Sequence, residues 1–299
     1  MLIAHLSDLH LRDPGDVTWL ERQLDRITRR CPEHLAVTGD LLDRWDPDLL
    51  ELALEAFSIH GFMNAERLTI FHGNHDLASS GGHPRRSADL WRLALRFWDP
   101  PPLVERRRRR FYAALAARAA GVGAQSPVLK VLRSGLRLAI VDTVPAPWKP
   151  LRISAGSVTV HHGVGCVRKP EMEWLARQRG DSALTLLAHH YPLDAPQFTW
   201  TPLRPDFTSG FSRLLARVVK EVTVPMAIVR EDRERFWAAA VAGGVRLVLC
   251  GHVHRQRLDW HQGIAVGLNG QSGAEWAGRT VAYYEITGDT VTVDTERVD

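Results

Sequence analysis

A chain of 299 residues is long enough to bury a substantial core, as one large domain or two small ones. With 45% hydrophobic and 24% charged residues, its composition excludes disorder along the whole length. The net charge of +4, from 38 basic against 34 acidic residues, is too mild to indicate nucleic acid by itself.

Cys31, Cys166 and Cys250 are odd in number and without paired spacing, which argues against a disulfide framework and for a reducing compartment. The N-terminus has no basic segment followed by an apolar one, and no run approaches the roughly 20 apolar residues that span a bilayer. The expectation is a cytoplasmic protein with no membrane span.

In chain order the pattern predicts a strand over 2–7, a helix over about 16–30, a strand over 35–39, a helix over about 47–59 and a strand over 68–72. Two helices, about 86–98 and 103–120, are expected to meet at Pro100-Pro101-Pro102. Residues 128–133 and 136–141 flank Ser134-Gly135 as a tight hairpin. A helix over about 170–179 opens with Pro170 at its first turn, and Met172, Leu175 and Ala176 give it an apolar face. An amphipathic helix is expected near 209–220, and strands at 263–269, 279–286 and 289–297, the last two joined at Gly288-Asp289.

Five apolar, strand-like runs end in metal-binding side chains. Leu2–Leu6 leads to Asp8-Leu9-His10, and Leu35–Thr38 to Gly39-Asp40-Leu41-Leu42-Asp43. Leu68–Phe71 leads to Gly73-Asn74-His75-Asp76, Leu184–Ala188 to His189-His190, and Val245–Leu249 to Gly251-His252-Val253-His254. Carboxylate, imidazole and amide ligands without thiolate suit Mn²⁺, Fe²⁺/Fe³⁺, Zn²⁺ or Co²⁺ rather than a cysteine-rich structural zinc. Spacing alone leaves either ring of His189-His190 as the ligand.

In this order the motifs resemble the calcineurin-like metallophosphoesterase superfamily, whose signature reads D-x-H, G-D-x-x-D, G-N-H-D or G-N-H-E, a single His, and G-H-x-H. The resemblance runs to about residue 290 and implies a two-sheet β-sandwich flanked by helices, a four-layer α/β/β/α fold. It implies two divalent metal ions. One would be held by Asp8, His10 and His254, the other by Asn74, His189 and His252, with Asp40 bridging both. His75 would stand beside the substrate phosphate as a non-ligand histidine, oriented by Asp76, and Asp43 would support a ligand from behind. Between the metals a bridging hydroxide would attack phosphorus in line, with the two ions roughly 3.5–4 Å apart.

The chain reads as a single domain over 1–299, interrupted at 78–127 and 191–231 by segments expected to form caps. The first carries the run Arg106–Arg110, which on a helix must point all round it, so most of these arginines are expected to be solvated or paired. Trp91, Phe97, Trp98, Phe198, Trp200 and Phe207 are read as anchors of the two segments. The resulting expectation is a phosphohydrolase whose substrate is a phosphodiester, with a nucleotide as one candidate and class III cyclic-nucleotide phosphodiesterases as the resembling subgroup. Here Tyr191 intervenes where that subgroup has proline directly after the two histidines. A repair-type nuclease, a phosphomonoesterase and a non-catalytic scaffold are the alternatives. Nucleic acid is allowed by the arginine run but not favoured, and the oligomeric state is left open.

Overall fold

Aspartate caps set the first two crossovers. In the computed structural model, Asp13 accepts from the amides of Gly15 and Asp16 to start helix α1 (Pro14–Arg30). Asp46 does the same from Asp48 and Leu49 for α2 (Pro47–Ile59), and each helix has proline in its first turn. The structure describes residues 1–78, 99–144, 151–154, 157–160, 164–195, 198–200, 221–224, 227–270, 280–288 and 290–298. The helices expected near 86–98 and 209–220 lie outside these residues, as do His161 and His162.

The strands are β1 (Leu2–Leu6), β2 (His34–Thr38), β3 (Leu68–Phe71), β4 (Val128–Val131), β5 (Arg137–Ile140), β6 (Leu151–Ser154) and β7 (Ser157–Val160). They continue as β8 (Leu184–Leu187), β9 (Phe198–Trp200), β10 (Glu221–Val224), β11 (Val245–Cys250), β12 (Gln256–His261), β13 (Ile264–Asn269), β14 (Thr280–Thr287) and β15 (Thr290–Arg297). The remaining helices are α3 (Pro101–Arg118), α4 (Lys169–Ala176) and α5 (Arg230–Ala242).

One sheet has the order β15-β14-β1-β2-β3 and a second β12-β13-β11-β8-β5-β4. Within them β1-β2-β3 and β13-β11-β8-β5 are parallel, with antiparallel strands at the edges. The parallel strands are apolar on both faces because both are covered. On β11, Leu247 and Leu249 face the other sheet while Val248 and Cys250 face the helices. Ile3, Ala36 and Phe71 of the first sheet meet Leu138, Ile140 and Leu187 of the second in the sandwich core. Outside it, α1, α2 and part of α3 cover the first sheet, and α4 and α5 the second. The layers are therefore α/β/β/α.

Three features depart from the sequence expectation. Helix α3 begins at Pro101 rather than at about 103, with Pro101 and Pro102 in its first turn. Much of the described part of the 78–127 segment is scaffold. Phe111, Leu115 and Val122 belong to the first outer core, and Ile70 and Ala124 exchange backbone hydrogen bonds with Val122 and Ile70. Finally, β6, β7, β10 and β9 form a small sheet of their own, and β12 adds an edge strand after the last motif. These strands are short or half-exposed, so they lack the apolar alternation that marks a strand in sequence.

Candidate metal centre

Parallel strands in two facing sheets all deliver their C-terminal ends to one edge, which is where open α/β sheets carry their ligands. At that edge the backbone turns sharply. Asp8, His10, Asp40, His252 and His254 all have φ between 46° and 69°, the left-handed region that aspartate and histidine tolerate better than most residues. Such strain persists where the surroundings impose it. Gly39, at φ +100°, has no side chain because a methyl group there would run into the His189 ring and the backbone of Gly73.

One group of ligand atoms converges from the first and last motifs. The Nε2 atoms of His10 and His254 face each other at 3.2 Å, and Asp8 Oδ1 stands 3.7 Å from the first and 3.3 Å from the second. The other Asp8 oxygen accepts from the His252 amide at 2.8 Å, which ties the first motif to the last. A second group surrounds His189. Its Nδ1 donates to the Thr38 carbonyl at 2.8 Å, so Nε2 is directed at Asn74 Oδ1, 2.9 Å away, and Asp40 Oδ2, 3.3 Å away. Asp40 Oδ2 also lies 3.9 Å from His10 Nε2, between the two groups, while its Oδ1 is held by the His75 amide at 2.7 Å.

The donor set fits a pair of cations. Among the described residues, Asp8 Oδ1, Asp40 Oδ2 and both ring nitrogens of His252 are buried without a hydrogen-bond partner, which is costly unless a cation takes them up. Asp8, Asp40, His189 and His252 have ligand atoms within 4.8 Å of one another, as do Asp8, His10 and His254. Electrostatics points the same way. Burial alone would raise the Asp40 carboxyl, but the facing histidines hold it well below the usual range. Burial would lower His189, yet Asp40 and Asp8 lift it to about 9. All seven expected ligand positions are thus brought to one place, in two groups that meet at Asp40.

The ring of His75 lies against Asp43, where the expectation had Asp76. Its Nδ1 is 2.9 Å from the backbone carbonyl of Asp43 and 3.8 Å from the Asp43 carboxylate, and its ring stands edge-on to His10. The Asp76 carboxylate is instead spent on backbone, accepting from Leu42 and Gly73 at 2.8 Å and from Leu41 at 3.4 Å. It clasps the second motif to the third. Burial, and then repulsion from Asp40, raises its pKa to about 7.

His190 is the ring that spacing left open beside His189 as a ligand. It is buried, bonded through Nδ1 to Thr143 Oγ1 at 3.0 Å, and its ring centroid lies 4.4 Å from that of His252. With His189 and His252 it forms a further group able to hold a cation. Thr38 and Thr143 were missed. The first acts through its carbonyl, which every residue possesses, and the second lies 47 residues from His190 in sequence.

The family model described as calcineurin-like phosphoesterase matches residues 1–256. The chain belongs to the calcineurin-like phosphoesterases. The fold agrees: a dimetal phosphatase from Danio rerio superposes with a TM-score of 0.56 at 10% identity, covering 99% of this chain and 96% of that one. The protein TT1561 of Thermus thermophilus gives 0.50 at 10% identity, over 98% and 97%. No curated protein sequence matches the chain. As a calcineurin-like phosphoesterase the protein is a metal-dependent phosphohydrolase with a dinuclear divalent site. Among the described residues, no helix is long and apolar enough to cross a membrane.

Proposed function

We propose that this phosphoesterase is a phosphodiesterase, with one metal held by Asp8, His10 and His254, the other by Asn74, His189 and His252, and Asp40 shared. When bound, two such ions polarise phosphoryl oxygens and lower the pKa of water, so that a nucleophile is available near neutral pH. Ligand chemistry admits Mn²⁺, iron, Zn²⁺ or Co²⁺. We also take the chain as one domain, with 78–127 and 191–231 as insertions leaving the ends of β3 and β8.

The observation that carries the diester reading is the place of Asp43. Its carboxylate stands 3.7 Å from His10 Nδ1 and 3.8 Å from His75 Nδ1, beside the ligands rather than among them. Two divalent cations against the Asp8 and Asp40 carboxylates would leave about two positive charges, and the Asp43 carboxylate reduces the excess to about one. A diester brings one negative charge to such a site and a monoester dianion brings two. The balance therefore favours the diester.

His75 supplies the proton side of the chemistry. Its Nδ1 donates to the backbone carbonyl of Asp43, which turns Nε2 away from that loop. In its protonated form the ring would offer Nε2–H to a phosphoryl oxygen or to the departing alkoxide.

The test compares bis(p-nitrophenyl) phosphate with p-nitrophenyl phosphate, using Mn²⁺-loaded protein and an EDTA-treated control. Chelator-sensitive cleavage that favours the diester is expected, and Asp43→Asn should shift the ratio toward the monoester. Preference for the monoester by the parent chain would overturn the reading.

A further inference from the structure

Two adjacent histidines follow β8, and His189 is the one aimed at Asn74 and Asp40. His190 is just as deeply buried, at 1% exposed, and the groups that fix it lie on other segments. Thr143 Oγ1, after β5, accepts from the His190 amide at 3.0 Å and stands 3.0 Å from its Nδ1. On another side Gly165 lies so close that a methyl group there would come within 2.5 Å of His190 Cβ and Cγ. The ring is therefore held by the Thr143 hydroxyl and the backbone at Gly165, with Nδ1 engaged and Nε2 left over.

Among the described residues, His190 Nε2 is buried without a hydrogen-bond partner, as are both ring nitrogens of His252. The centroids of these two rings are 4.4 Å apart, and that of His189 lies 4.9 Å from His190 and 5.1 Å from His252. Ligand atoms of the three rings all fall within 4.8 Å of one another. Burying a polar nitrogen without a partner is costly, and stacking imidazoles on each other satisfies none of them. A cation among them satisfies all three. A histidine that holds a metal through one ring nitrogen ordinarily has the other on a nearby oxygen. His189 uses the Thr38 carbonyl in that way, and Thr143 Oγ1 is the matching oxygen for His190.

We propose that His190 is a further ligand, through Nε2, of the ion assigned to Asn74, His189 and His252. The inference rests on the dinuclear reading for the existence of that ion. The ion then draws on one more side chain than the one at Asp8, His10 and His254, which leaves the latter the freer place for a phosphoryl oxygen. A third imidazole also biases the position toward Zn²⁺ or iron over Mn²⁺, which is better suited to oxygen ligands.

The experiment loads protein isotope-labelled at histidine nitrogen with cadmium, counts the ions bound per chain, and records scalar coupling between cadmium and the imidazole nitrogens. In the parent, Nε2 of His190 should be coupled, as should the rings of His189 and His252. His190→Gln should lose that coupling and keep the other two. In a zinc titration, Thr143→Val retains the ring without its oxygen and should weaken one of the two ions by about 10–100-fold, the usual cost of losing such a partner. His190→Gln should weaken the same ion at least as much. Two bound ions with no coupling to His190 overturn the proposal and leave the dinuclear reading standing, as does parental zinc affinity in both variants. Coupling to His190 in a chain that holds a single ion keeps the ligand and sinks the dinuclear reading instead.

Discussion

His75 shows how much of a site rests on atoms that side-chain chemistry does not advertise. Its position directly after Asn74 was legible in the sequence, while in the structure it forms, with His10 and Asp40, a further group able to hold a cation. What orients its ring was not legible, because a backbone carbonyl, that of Asp43 at 2.9 Å, accepts from it. The same holds for His189, fixed by the Thr38 carbonyl from the neighbouring sheet. Side chains that bind metal could be read from strand ends, since few other roles suit Asp, Asn and His there. Their supporting atoms depend on which loops meet in space. A general acid contributes typically about 10²–10⁴-fold. His75→Asn should therefore lower kcat for the diester by about that range while metal content stays constant. An unchanged kcat in a metal-replete variant would remove His75 from the chemistry.

At the scale of elements, α3 is where the sequence was least informative. Five adjacent arginines look alike in one dimension, and helical winding separates them into buried and exposed sets. The buried Arg108–Asp142 pair, 9% and 4% exposed, joins α3 to the segment after β5. Removing one partner of a buried pair leaves the other charge uncompensated, at a cost of about 3–5 kcal/mol. Arg108→Met should lower stability by that order in urea, and Arg109→Gln should stay within about 0.5 kcal/mol. Equal midpoints for the two variants would contradict this account of the helix.

The strand β2 holds a pH-sensitive element that sequence alone does not mark. His34 is buried, with Nε2 on Thr69 Oγ1 and Nδ1 on the Glu66 carbonyl, and burial lowers its pKa to about 3. Between its ordinary value of 6.5 and that lowered one, the unfolded chain takes up a proton that the native state refuses. The associated stability is thus full above pH 6.5 and falls as pH drops toward 3, by about 1.4 kcal/mol per unit. Urea midpoints measured at about pH 7 and about pH 4.5, on either side of the ordinary histidine value, should converge more closely for His34→Gln than for the parent. The same dependence in both would refute the assignment.

For the whole molecule, the layer order and the site share one cause. Apolar strands buried on both faces must be sandwiched, and their parallel direction sends every motif to the same edge. That much followed from five runs of apolar residues and what ended them. The small sheet formed by β6, β7, β9 and β10 did not, because strands of three or four residues carry too little pattern to be told from loops. Nor did the scaffold role of α3 and residues 122–124, since pairing with β3 at Ile70 is a long-range event. The two ligand groups draw on both sheets, and Asp40 stands where they meet, so the sandwich itself assembles the centre. The most direct test is the number of tightly bound divalent ions per chain after reconstitution, for the parent and for Asp40→Asn. Two ions in the parent, with one or none retained by the variant, is the expected result. A parent chain that binds a single ion, or a variant that still holds two, would contradict a dinuclear centre bridged by Asp40.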